Sequence, residues 1–172
     1  MTAIGFVGLG RMGAPMAARL RAAGHDLTVL DASVGALAAF LAAEKATPAT
    51  TPRQLATASD VVITMLPTSA IVADALRGPD GALAGLRPGA LVIEMSSGVP
   101  ATTQALAEDV ARAGGVLIDA PVSGGVARAL TGELAIMVGG PPEAVERARP
   151  ILAAMGTSIL PTGAVGTAHV IA

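Results

Sequence analysis

An α/β fold, a doubly wound and mainly parallel sheet, is predicted by three features of the chain. Short β-branched runs alternate with helix-length segments throughout, a glycine-rich hexamer joins the first run to the first helical pattern, and an aspartate closes the second run. Strands separated by helices of this length imply βαβ crossovers, which make parallel sheets.

The first strand is Ala3 to Val7, followed by Gly8-Leu9-Gly10-Arg11-Met12-Gly13 and a helical pattern through Leu20. This is G-x-G-x-x-G between strand and helix, the context the dinucleotide fingerprint requires. One glycine permits the tight turn, one lets backbone approach a pyrophosphate, and one lets helix pack close to strand. The helix N-terminus beyond offers unpaired N–H groups and a partial positive charge. Pro15 lies in the first turn, where its missing N–H costs little. Gly24 closes the helix as a C-cap, and Asp26 to Leu30 is the second strand. Asp31 lies 18 residues beyond Gly13, near the roughly 20-residue spacing at which a carboxylate meets the adenosine ribose. There it would accept the ribose hydroxyls and repel a 2′-phosphate, favouring NAD over NADP. Its structural alternative is to cap the next helix, a role open equally to Ser33. Together these features predict a Rossmann-like dinucleotide-binding fold.

Ser33 to Ala43 reads as a helix, Ala46 to Ala49 as a weak extended piece, Pro52 to Ala58 as a short helix and Val61 to Met65 as a buried strand. Ser69 to Leu76 is helical, Gly78 to Gly81 a loop, Leu91 to Met95 a strand, and Pro100 to Ala113 a helix closed by Gly114-Gly115. Val116 to Ala120 and Ala135 to Val138 are strands. Val145, Ala148, Leu152 and Met155 recur at helical spacing, with Pro150 expected to kink that helix and Gly156 to end it; Ser158 to Leu160 is a last strand.

A chain of 172 residues is about one domain. A net charge of −2 makes no electrostatic case for nucleic acid or an anionic membrane. Without cysteine there is no disulfide, thiol nucleophile or cysteine metal site, and no metal site is expected. No leader or membrane span is legible, so a cytoplasmic protein is the expectation. Mean hydropathy is +0.65 and aromatics are 1% of the chain. An interior of Ala, Val, Leu, Ile and Met with so apolar an average suggests surface covered by a second domain or by another copy in a homo-oligomer; alanine bias alone would raise the same average.

Ligands of such sheets sit at the carboxyl ends of the strands. The loops there are Gly8 to Gly13, Asp31 to Ser33, Leu66-Pro67-Thr68, Ser96-Ser97-Gly98 and Asp119 to Gly125. Leu66-Pro67 also serves as a strand terminator and Ser96-Ser97 as a helix cap. In Ser123-Gly124-Gly125, small residues and exposed amides can bind a carboxylate.

Gly8-Leu9-Gly10-x-Met12-Gly13-x-x-Met16-Ala17, Met65-Leu66-Pro67, Glu94-Met95-Ser96-Ser97 and Asp119 to Gly125, in that order and spacing, resemble the β-hydroxyacid dehydrogenase family across essentially the whole chain. The resemblance implies that Gly8, Leu9, Gly10, Arg11, Met12, Gly13, Asp31, Leu66, Pro67 and Ser97 contact the cofactor. It implies that Ser123, Gly124 and Gly125 hold the carboxylate of a small substrate, and that NAD exchanges hydride with the β-carbon of a short hydroxy acid. Glu94 stands where the family usually has Asp. The family continues with G-x-G-x-x-x-K, whose lysine is the general acid/base, whereas this chain reads Gly166-Thr167-Ala168-His169-Val170-Ile171-Ala172, with Ala172 at the lysine position. Residues 1–163 are thus expected to be the dinucleotide-binding domain and 164–172 the start of the helix leading to the family's all-α second domain, which is missing here.

A methyl group moves no proton, so the chain alone is expected to be inactive. His169 shares roughly one helix face with position 172 and is the candidate substitute; His25 is expected to be a solvated surface residue. Asp119 is expected to order the loop beneath Ser123, and Asp60 to cap a strand. Two further functions remain open: a non-catalytic dinucleotide-binding or interaction module, which Ala172 favours, and an imine reductase-like first domain, which the intact Asp119 to Gly125 loop disfavours.

Overall fold

The computed structural model describes residues 1–172. β1 (Ala3–Val7) leads through the glycine hexamer into α1 (Gly13–Ala22), after which the Gly24 N–H turns back to the Arg21 carbonyl and β2 (Asp26–Leu30) begins. The Ser33 hydroxyl accepts the Ala36 N–H at 3.2 Å and so starts α2 (Val34–Ala43). β3 is only Thr47–Pro48. Thr51 and Thr68 cap α3 (Pro52–Thr57) and α4 (Ser69–Arg77) in the same way, on either side of β4 (Val61–Thr64). The loop after α4 contains a single turn not anticipated from sequence, α5 (Ala82–Gly85), and β5 (Leu91–Glu94) follows. α6 (Pro100–Arg112) opens on proline, and β6 (Val116–Asp119) succeeds it.

The segment after β6 is more ordered than a glycine loop. Val122–Ser123 forms β7, antiparallel to β8 (Leu134–Gly139), and α7 (Gly125–Thr131) stands between them. α8 (Pro142–Ala153) runs unbroken through Pro150. That proline is exposed in the last turns, so the one hydrogen bond it removes falls on a solvated face. Gly156 does not end this helix but starts β9 (Gly156–Gly163), longer than the expected Ser158 to Leu160 and parallel to β8. The chain closes with α9 (Thr167–Ile171).

The sheet order is β3-β2-β1-β4-β5-β6-β8-β7, with β9 also on β8. β3 to β6 are parallel to one another, and β8 joins β6 antiparallel at Asp119 and Gly139. Alternate residues of the strands feed two cores. Ile4, Phe6, Ile63, Ile93 and Ile118 meet α1 and α8 on one face. Val7, Val62, Val92 and Leu117 meet α3, α4 and α6 on the other. The sheet is therefore doubly wound, with its reversal between β1 and β4. No helix is long and apolar enough to cross a membrane.

Candidate functional site

The carboxyl ends of β1, β2, β4 and β5 open on one edge of the sheet, at the crevice where strand order reverses and ligands of such folds bind. The three glycines of the hexamer have three different surroundings. Gly8 has φ +106° and packs so closely that a Cβ there would collide with the Met65 carbonyl. A Cβ at Gly13 would collide with the Gly8 carbonyl, which is the close contact of helix to strand. Gly10 is exposed, with nothing within 4 Å of where its Cβ would stand. The N-terminus of α1, at Met12, receives no side-chain cap. Bare backbone facing open space beside uncapped N–H groups is a cradle fitted to a pyrophosphate.

Asp31 reaches across to this turn. Its Oδ2 accepts the Leu9 N–H at 2.7 Å and its Oδ1 accepts the Ser33 N–H at 2.7 Å. Ser33, not Asp31, caps α2. Asp31 also lines a cavity of about 600 Å³ with Val7, Leu30, Val34, Ile71 and Asp74. Val34 and Ile71 are among the few large apolar side chains left exposed, and both line this cavity. It has apolar walls and a carboxylate at the end nearest the glycines, the chemistry an adenosine requires. Arg11 is exposed on the same turn.

The β4 and β5 ends form the other side of the crevice. The Leu66 N–H donates to Ser96 Oγ at 2.8 Å, tying the two loops together. Pro67 and Ser97 are exposed. Ser123, Gly124 and Gly125 are exposed at the edge of the sheet, Ser123 pairing in register with Ala135. A Cβ at Gly125 would meet nothing within 4 Å, so its backbone is open to a ligand.

Behind these loops lies a buried polar cluster. Glu94 is 2% exposed, and its Oε1 accepts from Thr64 Oγ1 at 3.1 Å and from the Ser96 N–H at 2.9 Å. Burial pushes its carboxyl above the usual carboxylate range, opposed by hydrogen bonds from Ser96, by the neighbouring His169 and by Thr64. Asp119 is wholly buried and accepts the Gly166 N–H at 2.8 Å and the His169 N–H at 3.0 Å. It orders the start of α9, not the loop beneath Ser123.

His169 occupies a different place from that expected of a substitute acid/base. Its side chain is wholly buried, with Nε2 2.9 Å from the Ser96 carbonyl and Nδ1 2.7 Å from Thr103 Oγ1. A general acid/base must reach a substrate proton, and both nitrogens of this ring are engaged inside the protein. Ala172 ends α9, exposed. His25 is not simply solvated: its Nδ1 accepts the Thr2 N–H at 3.2 Å, and burial, then the N-terminal ammonium, lowers its pKa. Asp60 pairs with Arg87 at 3.1 Å on the surface. Ser96-Ser97 caps no helix, since α6 starts after Val99 without a side-chain cap; the bonds of Ser96, Thr103 and Asp119 were not legible, since most of them go to backbone groups that no residue type announces.

A family profile described as the NAD binding domain of 6-phosphogluconate dehydrogenase matches residues 3–165. The 3-sulfolactaldehyde reductase of Escherichia coli (strain K12) is 43% identical over 166 residues, 96% of this chain and 55% of the relative. The NAD-dependent L-serine dehydrogenase of Pseudomonas aeruginosa is 43% identical over 170 residues, 99% of this chain and 57% of the relative. Among solved structures, Mycobacterium tuberculosis 3-hydroxyisobutyrate dehydrogenase with L-serine superposes with a TM-score of 0.93 at 38% identity, covering 99% of this chain and 57% of that one. The chain spans about half the length of the curated relatives it matches.

Proposed function

The chain belongs to the β-hydroxyacid dehydrogenase family, in which it carries the NAD-binding domain, and on that premise we propose that it is the cofactor half of an oxidoreductase acting on a short hydroxy acid. Gly8 to Gly13 hold the pyrophosphate, with Gly10 giving way to it. Asp31 takes the adenosine ribose with the lone pairs its two backbone donors leave free. A 2′-phosphate would stand against that carboxylate, so NAD is preferred over NADP. Pro67 and Ser97 border the nicotinamide half, and Leu66, which also lines the Asp31 cavity, stands between the two halves. Ser123, Gly124 and Gly125 receive the substrate carboxylate. When bound, the nicotinamide supplies or accepts the hydride, and these loops orient it and exclude water around it.

Residues 1–163 act as the dinucleotide-binding domain, and residues 164–172 begin a helix that leads toward a second domain or a second copy. Residue 172 is Ala, so the proton of the hydroxyl is not transferred from that position. That same residue supports a second function, a dinucleotide-binding module without chemistry. The open segment Ser123 to Gly125 supports a carboxylate substrate over an imine.

The observation that carries the assignment is the open cradle at Gly10 beside Asp31. Calorimetric titration of NADH and NADPH into the protein tests it. NADH is expected to bind more tightly by at least about tenfold, about 1.4 kcal/mol. Failure of the folded protein to bind either would overturn the assignment, and preference for NADPH would overturn the role of Asp31.

A further inference from the structure

The His169 side chain is wholly buried outside the proposed cofactor site, and its contacts lead back to that site. Nε2 faces the Ser96 carbonyl at 2.9 Å and Glu94 Oε2 at 3.5 Å. Both are acceptors, so Nε2 carries a proton and donates to the Ser96 carbonyl. Nδ1 faces Thr103 Oγ1 at 2.7 Å, and a hydroxyl can donate or accept there. The ring also presses against Gly98: a Cβ at that position would stand 2.6 Å from Cε1, 2.8 Å from Nδ1 and 2.9 Å from Nε2. Ser96 and Gly98 are the two neighbours of Ser97, which is exposed. His169 therefore grips the turn on both sides of Ser97 without a hydrogen bond to Ser97 itself.

The grip extends one step further. Ser96 Oγ accepts the Leu66 N–H at 2.8 Å, and the Ser96 N–H is held by Glu94 at 2.9 Å. One imidazole on α9 thus fixes the β5 loop directly and the β4 loop through Ser96. Of the residues lining the Asp31 cavity, Leu66 is tied to the cluster through its N–H, whereas Asp31, Val34 and Ile71 share no hydrogen bond with any member. A buried polar network with every member satisfied holds one geometry.

We propose that His169 is a positioning residue for the nicotinamide half of the dinucleotide: from α9 it sets the Ser96–Gly98 turn and the Leu66 backbone, while the Asp31 carboxylate that takes the adenosine ribose is held without it. The inference rests on the cofactor assignment above.

Two ligands separate the halves. NADH carries both, and ADP-ribose lacks the nicotinamide. In the wild-type protein NADH is expected to bind more tightly than ADP-ribose. His169→Ala weakens NADH about tenfold, the scale of one lost buried hydrogen-bonded contact, and leaves ADP-ribose within about twofold. His169→Gln, whose amide can still donate toward the Ser96 carbonyl, recovers most of the NADH affinity. Should His169→Ala fail to fold, Gly98→Ala makes the same test from the opposite side, its methyl displacing the ring while the histidine stays. The same split between the two ligands is expected.

Equal weakening of NADH and ADP-ribose in these variants, or no change in either, overturns the proposal. So does a wild-type protein that binds ADP-ribose and NADH equally, since the nicotinamide half then adds nothing to position. A folded wild type that binds neither overturns the cofactor assignment itself, so the two failures are told apart.

Discussion

Asp31 and Asp119 make the same bonds and have opposite fates. Each stands at the carboxyl end of a parallel strand and each accepts two backbone N–H groups, Asp31 from Leu9 and Ser33, Asp119 from Gly166 and His169. Asp119 is wholly buried, shut in by α9, whereas Asp31 is half-buried and lines a cavity. The difference lies in what covers the carboxylate. A covered one spends its lone pairs fastening chain to chain, and an uncovered one retains some for a ligand. Strand-end position therefore marks a carboxylate as useful without saying for what.

The largest expected effect follows from that contrast. Asp119→Ala leaves two N–H groups without acceptors in a dry interior, at roughly 1–3 kcal/mol each, and should destabilise the fold by about 2–5 kcal/mol. Asp31→Ala leaves the exposed Ser33 donor to water and the part-buried Leu9 donor beside an open cavity, and should cost less, about 1–2 kcal/mol. Urea denaturation of both variants measures the gap. Equal losses would mean that Asp31 is a structural fastener too, and the comparison would collapse.

The next effect separates binding from stability within the glycine turn. Gly10→Ala meets nothing within 4 Å, so unfolding free energy should stay within about 0.5 kcal/mol while NADH affinity falls by more than about tenfold. Gly13→Ala drives a methyl at the Gly8 carbonyl and should cost about 1–3 kcal/mol of stability. Retained NADH affinity in Gly10→Ala would place the pyrophosphate elsewhere.

How much was legible in the sequence divides along the same line as the two aspartates. β1, β2 and the fingerprint between them follow from local signals: a β-branched run, fixed glycine spacing, a hydroxyl at a helix start. The family, too, was legible, because its motifs are contiguous. α7 was not, since it starts on two glycines with no capping side chain and runs for seven residues, too short for a period to show. β7, at two residues, exists only through its pairing with β8. The role of Asp119 depends on backbone donors 47 and 50 residues away, and any residue type would have supplied them. His169 was singled out for its position along a helix face, and the structure gives it the opposite environment from the one a catalyst needs. Local pattern located the open half of the site, and tertiary closure decided the buried half.

A smaller effect sharpens the role of the open carboxylate. Asp31→Arg replaces the charge that would repel a 2′-phosphate, and the ratio of NADH to NADPH affinity should fall about tenfold or more. Paired calorimetric titrations of variant and wild type read that ratio. An unchanged ratio, with both ligands still bound, would remove Asp31 from the ribose.

The smallest effect concerns the third strand-end acid, Glu94, which is buried like Asp119 and faces the same imidazole, His169, from its other side. Burial raises its pKa above the ordinary 4.5, and Ser96, His169 and Thr64 pull it partly back, so the net effect is a residue of opposing influences. A raised value means that the folded chain holds this proton more tightly than the unfolded chain does. The stability it contributes is complete below pH 4.5 and declines as pH rises from there through the raised value. Glu94→Gln keeps an oxygen for the Thr64 and Ser96 donors and does not titrate. In urea denaturation across that window, wild type should therefore lose stability relative to Glu94→Gln as pH increases. A difference that grows in favour of wild type with rising pH would show that the contact with His169, 3.5 Å away, outweighs desolvation. Glu94 would then belong with Asp119 as a charged fastener of α9, and the buried half of the site would be held by charge, not merely by hydrogen bonds.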